Sequence, residues 1–501
     1  MNVNVLEIGA TGNGITSDTK AVQKAVDMCG ENGGGVVTFP AGTYMLGKVF
    51  LRSHVTISIE SGARIVAIAN QEEYPISYGP VGALTEYDPN GKGWMDKRWS
   101  IFYGCDLEGV VIRGNGVIDG NYKEFLIPRV PVAAPKWAQH EKDLTLYGPN
   151  GFRPTLLMLE NCENTRIEGV NFFNAGCYTI NLYTCNHLQI RGIRIENDLG
   201  ADNADGIHMT SCSDVLISDC DLTCGDDSIA IDTDEGKPAE RYVITNCIIA
   251  SRNNCFRIFH SLHNAKMYEK LPYCRVRDIV ISSCVIRQAD SVVCMNADKG
   301  EISNVLVTGI RGTMTRNGGA FIITSHNESD IDGVVFSNWS LRTRGAGYMY
   351  AEPGSRIDNV VLRHYDVEVC PKTQQFCMGL DKVIKAAEGP IKGVPFYWWS
   401  HHIPFFMQII NVEKVELDDI KIKWGEENIS DLLDMHSEEN KKYINWVENE
   451  HGYPTIHKPT LDWPAIQIND TKSVITNRLQ LIPHGNCKKA LIEYKNGKMV
   501  Q

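Results

Sequence analysis

A block of six residues recurs along the middle of this chain and constrains its fold more than any other feature. It reads IEGVNF at 167–172, IRGIRI at 190–195, ISDCDL at 217–222, ITNCII at 244–249 and ISSCVI at 281–286. It continues as VTGIRG at 307–312, FSNWSL at 336–341, LRHYDV at 362–367 and LDDIKI at 417–422. Each block sets an apolar residue, two small or polar residues, a second apolar residue and a further polar–apolar step. The fourth residues serve as anchors: Val170, Ile193, Cys220, Cys247, Cys284, Ile310, Trp339, Tyr365 and Ile420. They are separated by 23, 27, 27, 37, 26, 29, 26 and 55 residues. Each unit has room for two or three short strands of period two and contains no helix-length amphipathic run. A repeat of this length made of strands alone is a solenoid, whereas a propeller blade takes roughly 40–50 residues. The expectation is an all-β chain wound as a right-handed parallel β-helix. Its coils would stack about 4.8 Å apart, with like positions forming ladders. Cys162, Cys185 and Cys212 open successive units and are expected to form one such ladder. The longer steps mark loops inserted between coils.

The end coils of a solenoid expose core and strand edges, so they need caps. Residues 17–29, SDTKAVQKAVDMC, read as an N-terminal capping helix. Ser17 or Asp18 is the N-cap, Ala21, Val22, Ala25, Val26 and Cys29 form the apolar stripe, and Gly30 ends it. A second helix is expected within 428–450. The segment 370–405 breaks the repeat and contains FYWWSHHIPFF, which reads as a long loop or an extra layer. Repeat folds grow by adding units, so 501 residues do not force several domains. The expected organisation is one domain over 1–501. Residues 1–70 would form the N-terminal cap and first coils, and 105–370 the core coils with the active site. Residues 370–501 would form an irregular insertion, the last coil and a C-terminal cap.

A net charge of −12 without a basic run argues against nucleic acid as a partner. No apolar run is long enough for a membrane helix, so no membrane partner is expected. The opening MNVNVLEIGATGNG lacks the charged-then-apolar pattern of a secretory signal. The 16 cysteines then read as buried thiols of a reducing compartment, which gives a cytoplasmic expectation. Oligomeric state is not legible.

Two acidic segments sit in neighbouring units, NADGIHM at 203–209 and GDDSIAI at 225–231. Placing Asp205 against Asp227 also pairs Ile207 with Ile229 and Met209 with Ile231. Those apolar residues face inward, so His208 and Ala230 face outward. The next unit puts Phe256 and Ile258 inward and Arg257 outward. The expectation is one exposed strip carrying Asp205, Asp226, Asp227, His208 and Arg257. Glycoside hydrolysis needs one protonated carboxyl to donate to the leaving oxygen and one ionised carboxyl to activate water or attack carbon. Crowded carboxylates repel, and one of them holds its proton. Spacing alone does not say which. The competing readings are an ordinary aspartate turn and an oxygen-rich cation site. The stacked Asp205 argues against the first. The second lacks EF-hand, His or Cys spacing, so no metal and no cofactor is expected.

With these residues in view, the chain resembles the polygalacturonase-like glycoside hydrolases of family 28, on the pectin-lyase-like β-helix. The resemblance covers roughly residues 5–310. It rests on DTKAVQKAVDMC, GGGVVTFPAGTY and LRSHVTISIESGARI near the start, and on GVVIRGNGVIDGN at 109–121. The Arg-Pro opening of RPTLLMLENC at 153–162 belongs to it too, as do NADG, in place of Asn-Thr-Asp-Gly, and GDDSIAI. It implies an oligosaccharide substrate and single-displacement, inverting hydrolysis. Asp226 would be the general acid, Asp205 and Asp227 would hold and deprotonate the attacking water, and Asn203 would help orient the site.

The chain departs from the family in two places. Where a Gly-His-Gly motif is expected, it reads RNNCFRIFHS at 252–261, with Asn254 and Cys255 near the His position and His260 as a substitute in another register. Where an Arg-Ile-Lys motif would hold a substrate carboxylate, it reads SVVCMN at 291–296. A substrate lacking that carboxylate, or one held by Arg257, is expected in place of standard polygalacturonan. Asn203, His208, Arg257 and His260 are the candidate substrate-binding residues. His208 and Arg257 also admit bland readings, as a packed surface histidine and an ion-pair partner. His263 lies in a loop that would overhang the cleft. Trp94, Trp99, Trp398 and Trp399 are candidate sugar-stacking or packing residues. Loops at 88–104, 260–275 and 370–405 would close one end of the groove, giving cleavage from a chain end. A uronic-acid lyase or epimerase on the same fold, and a glycan-binding β-helix without chemistry, are the alternative functions.

Overall fold

The structure, a computed structural model, describes residues 1–76, 99–128, 147–233, 237–260, 273–314, 319–370, 406–425 and 463–500. Most of the insertions expected at 88–104, 260–275 and 370–405 fall outside these residues, with Trp94, His263, Trp398 and Trp399. So does the helix expected within 428–450. The chain is a right-handed parallel β-helix. It forms two compact units. One holds the described residues of Met1–Arg129, Thr145–Arg252 and Ser261–Ile281, the other those of Asn253–His260 and Ser282–Gln501.

In the first unit, each coil contributes strands to parallel ladders. One ladder climbs through Ser100–Cys105, Thr155–Glu160, Ile180–Tyr183, Ile207–Thr210 and Ile229–Thr233. A second climbs through Arg166–Glu168, Asn186–Arg191, Ser213–Ser218 and Ala239–Thr245. A third takes Asn171–Phe173, Arg194–Glu196, Asp221–Cys224 and Ile248–Ser251. The second unit repeats the scheme, with Asn254–His260, Ser291–Asp298 and Phe321–His326 in register. Its last described coil is followed by a short antiparallel pairing of Leu491–Lys495 with Lys498–Met499.

The recurring block has a local cause. Its third residue turns the chain in the left-handed conformation: Gly169, Gly192, Asp219, Asn246, Ser283, Gly309, Asn338, His364 and Asp419 all have φ between 52° and 73°. Glycine, asparagine and aspartate tolerate that conformation best. From Gly169 to Gly309 the turn separates two strands of one coil, while Asn338, His364 and Asp419 lie within continuous strands, and in every case the fourth residue is buried. All the anchors, from Val170 to Ile420, are buried. The expected cysteine ladder is present: the Cys162 thiol meets Cys185, and Cys185 meets Cys212. The described cysteines are free thiols.

The capping helix spans Thr19–Glu31 with Asp18 as N-cap residue. Val22, Ala25, Val26 and Cys29 are buried as expected. Two details differ. The Asp18 carboxylate bonds the preceding loop, accepting from Thr11 N at 2.6 Å and Gly12 N at 3.2 Å, and caps no helical N–H. Gly30 does not end the helix. A Cβ at Gly30 would lie 2.7 Å from Arg52 Cγ, so the glycine makes room for the arginine stem.

Candidate active site

The expected register holds. Ile207 pairs with Ile229, His208 with Ala230 and Met209 with Ile231. One residue earlier, Gly206 N donates to Asp227 O at 2.9 Å, which sets Asp205 and Asp227 in adjacent coils. This close stacking requires glycine at 206, because a Cβ there would lie 2.4 Å from Ser228 O and 2.8 Å from Cys224 Sγ. The backbone at Asp205 is clamped from the coil below. Thr179 donates to Asp205 O through its N at 3.0 Å and its Oγ1 at 2.7 Å. Asn197 Nδ2 in turn donates to Thr179 Oγ1 at 2.8 Å and to Ala204 O at 3.3 Å.

Asn203 sits in the left-handed region with φ 54°. Its Oδ1 accepts from Arg153 Nη2 at 2.7 Å, while Arg153 Nη1 donates to Asp202 O at 2.8 Å. Arg153 is almost fully buried and so fixes both the turn and the side chain of Asn203. The sequence supplied Arg153 only as part of a motif and gave it no role.

The outward strip is not exposed, contrary to expectation. Asp205, Asp227 and His208 keep 1%, 2% and 3% of their surface, and Arg257 keeps 8%. Asp226 is the more open acid, with 13% side-chain exposure. Period-two alternation identifies the face of a strand that points away from the core, but it does not say whether that face meets water.

Burial pushes the Asp226 carboxyl well above the usual carboxylate range, and the charges of Asp205 and Asp227 push it further. Arg252 Nη2, 4.0 Å from Asp226 Oδ2, opposes this in part. Arg252 also reaches Asp202 Oδ1 at 3.4 Å and Gly200 O at 3.4 Å. Nothing in the sequence reading singled it out.

His208 has both ring nitrogens engaged. Nδ1 lies 3.1 Å from Asp205 Oδ2 and Nε2 lies 3.1 Å from Asp232 Oδ2. Burial works against a charged imidazole here, but the Asp232 charge and the hydrogen bonds to Asp205 and Asp232 outweigh it, carrying the pKa up to about 9. Asp232 was missed in the sequence. Its signal was the same alternation, since it lies two residues beyond Ala230 and pairs with Thr210.

Arg257 and His260 belong to the second unit. Arg257 pairs in register with Cys294 and lies over the Phe259 ring at 4.8 Å. His260 is tied to backbone. Its Nδ1 accepts from Asp298 N at 3.1 Å, which leaves Nε2–H to donate to Glu301 O at 3.2 Å. Asn254 Oδ1 accepts from Ser291 Oγ at 2.5 Å, and Cys255 is buried. Trp99 packs edge-on against Phe152, with centroids 5.2 Å apart, in a cluster with Tyr74 and Phe125. Among the described residues, no group of three His, Cys, Asp or Glu side chains is arranged to hold a metal ion.

Residues 29–256, which contain the whole acidic cluster, match the model of glycosyl hydrolases family 28. A probable polygalacturonase of Arabidopsis thaliana is 31% identical over 234 residues, 46% of this chain and 42% of that protein. The exo-poly-alpha-D-galacturonosidase of Dickeya chrysanthemi is 23% identical over 457 residues, 83% of this chain and 69% of that protein. Among solved structures, the Yersinia enterocolitica family 28 exopolygalacturonase superposes with a TM-score of 0.64 at 16% identity, over 95% of this chain and 78% of that one. This chain spans under half the length of the Arabidopsis relative and of a probable polygalacturonase from Vitis vinifera, 42% and 48%. Over residues 29–256, which carry the stacked acidic segments, the chain is thus similar to the glycosyl hydrolases of family 28.

Proposed function

We propose that this chain is an inverting glycoside hydrolase that trims pectic oligosaccharides from a chain end. The observation that carries the reading is the stacking of Asp205 and Asp227 in adjacent coils, with Asp226 beside them. Burial and the charges of Asp205 and Asp227 push the Asp226 carboxyl well above the usual carboxylate range, which favours its protonated form. A protonated Asp226 gives its proton to the leaving glycosidic oxygen, as a general acid must. Asp205 and Asp227, adjacent in the stack, orient a water and take its proton as it attacks the anomeric carbon from the opposite face. Asn203, fixed by Arg153, orients the bound sugar.

Relatives named as exopolygalacturonases support action at a chain end. The substrate differs from standard polygalacturonan, a reading supported by the absence of an Arg-Ile-Lys motif from residues 291–296 of the strand Ser291–Asp298. That strand carries Cys294 at the position in register with Arg257 and offers no cation of its own. A lyase or epimerase needs a cation on the uronate and a base at C5, and the excess of acids here favours hydrolysis.

The test is turnover of oligogalacturonides, rhamnogalacturonan fragments and neutral aryl glycosides by wild type and Asp226→Asn, with product anomers resolved by NMR. Inverted product, released one terminal unit at a time and lost in the variant, is expected. A retained anomer would sink the assigned carboxylate roles. A new double bond in the product would replace hydrolysis with elimination, and mainly internal cleavage would remove the chain-end reading.

A further inference from the structure

Both ring nitrogens of His208 are engaged by carboxylates, and this environment has a consequence for Asp205. The ring is gripped along its long axis by Asp205 Oδ2 at 3.1 Å on Nδ1 and Asp232 Oδ2 at 3.1 Å on Nε2. Its face stacks on Tyr178, with centroids 4.2 Å apart and planes 13° from parallel. Asp205, His208, Asp232 and Tyr178 are all buried, each supplied by a different turn or strand of adjacent coils.

A neutral imidazole has one N–H and one lone pair. Between two carboxylates it would donate to one and turn its lone pair on the other. The imidazolium donates to both, and the flat face of Tyr178 suits a cation. Acidic and phenolic groups face this ring from each neighbouring element: Asp205 from the turn before its own strand, Asp232 from the coil above and Tyr178 from the coil below. Tyr242 and Cys212 lie within electrostatic reach of one another, and Tyr242 of Asp232.

The cluster as a whole has a problem that this cation solves. Three crowded aspartates repel one another, and proximity alone does not decide which of them stays ionised. A fixed positive charge against one of them breaks the tie. Resting on the hydrolase reading above, we propose that His208 and Asp232 are positioning residues, with the imidazolium anchored by Asp232 and Tyr178 so that it holds Asp205 ionised and aimed at the attacking water. Asp232 keeps the imidazole charged, and the imidazole keeps Asp205 a carboxylate. The relay exchanges no proton with substrate. Both ring nitrogens are committed to carboxylates, so His208 serves the sugar only through Asp205.

The experiment is an NMR titration of the full chain labelled at histidine Cε1, with His208→Gln to assign the resonance. In wild type, His208 should remain imidazolium through neutral pH. Asp232→Asn should lower its midpoint by on the order of one pH unit or more, and Asp232→Glu should restore most of the shift. On the substrate that wild type cleaves, Asp232→Asn should lower kcat about 100-fold with KM within about threefold. The acid limb of its pH profile should move to higher pH, because Asp205 loses the cation that favours its ionised form. Asp232→Glu should recover part of both.

A wild-type His208 that titrates like an ordinary histidine, or one indifferent to Asp232→Asn, overturns the proposal. The wild-type titration decides this even where Asp232→Asn does not fold. A protein that cleaves pectic substrates while His208 titrates ordinarily loses the relay alone. A protein with the expected titration that cleaves nothing loses the hydrolase reading and keeps the Asp232–His208–Asp205 contact.

Discussion

Asp214 and Asp226 belong to the same unit, and each has an arginine nearby, yet the fold pulls their protons in opposite directions. Arg241 meets Asp214 through Nε and Nη2 at 2.7 Å each, on a surface where the carboxylate keeps 33% side-chain exposure. That paired contact draws Asp214 below the usual carboxylate range, against a weaker push from burial. Asp226 has Arg252 only at 4.0 Å, and burial together with two neighbouring aspartates drives it up. Proximity of a cation therefore does not decide the outcome. What decides it is how deeply the carboxyl is buried, how much like charge stands beside it, and whether the pair forms two short hydrogen bonds. The first aspartate is a surface tie, and the second is pushed toward its protonated form.

The sharpest way to break this contrast is to neutralise each carboxylate in turn. Asp226→Asn should lower kcat about 1,000-fold while leaving the fold at least as stable at neutral pH, because a neutral amide replaces a carboxyl whose charged form burial already disfavours. Turnover and thermal melts measured together check both halves. A variant that loses stability along with activity would mean that Asp226 is structural.

Gly206→Ala tests whether the stacking itself creates the asymmetry. A methyl 2.4 Å from Ser228 O must force the coils apart, costing about 3 kcal/mol in chemical denaturation. Loss of this order with activity intact would show that the acids tolerate a looser stack.

The pH dependence of stability sharpens the comparison further. The pKa of His208 is raised on folding, from an unfolded value of about 6.5 to about 9. Its contribution is therefore fully present below pH ~6.5 and lost as pH rises through about 9. Asp226, also raised, acts in the same direction at lower pH, because deprotonating it is harder in the fold than in the unfolded chain. Stability should fall across the alkaline window by on the order of 2 kcal/mol, and His208→Gln should flatten that slope. A melt series from pH 6 to 10, taken as roughly the span of the histidine shift, reads it directly.

At the small end, Asp214→Asn should change stability by about 0.5 kcal/mol or less and leave turnover unchanged, since its partner Arg241 is half-exposed.

Much of this was legible before any coordinates. The block repeat predicted the coil from its spacing and its period-two apolar pattern, and the structure added the cause, a left-handed third residue followed by an inward fourth. These are local requirements, met by Gly169 and Val170 in one coil and by Asn246 and Cys247 in another. The register that stacks Asp205 on Asp227 followed from matching apolar residues across neighbouring repeats. Gly30 was misread as a helix end because a glycine looks the same in sequence whether it frees a backbone angle or clears space for Arg52.

By itself, then, the sequence determined the solenoid, its inward ladders, the acidic pair of segments and their alignment. All of these rest on the two-residue period of a strand and on turn preferences within a few residues. The tertiary structure alone decided that the outward strip is buried, that Arg153 holds Asn203 and that His208 spends both nitrogens on Asp205 and Asp232. Those facts depend on how side chains from separate coils meet and how completely water is removed around them. Alternation sets Asp232 on the same face as Ala230, but it does not reveal that Asp232 meets His208 in the neighbouring coil or that water is removed around both.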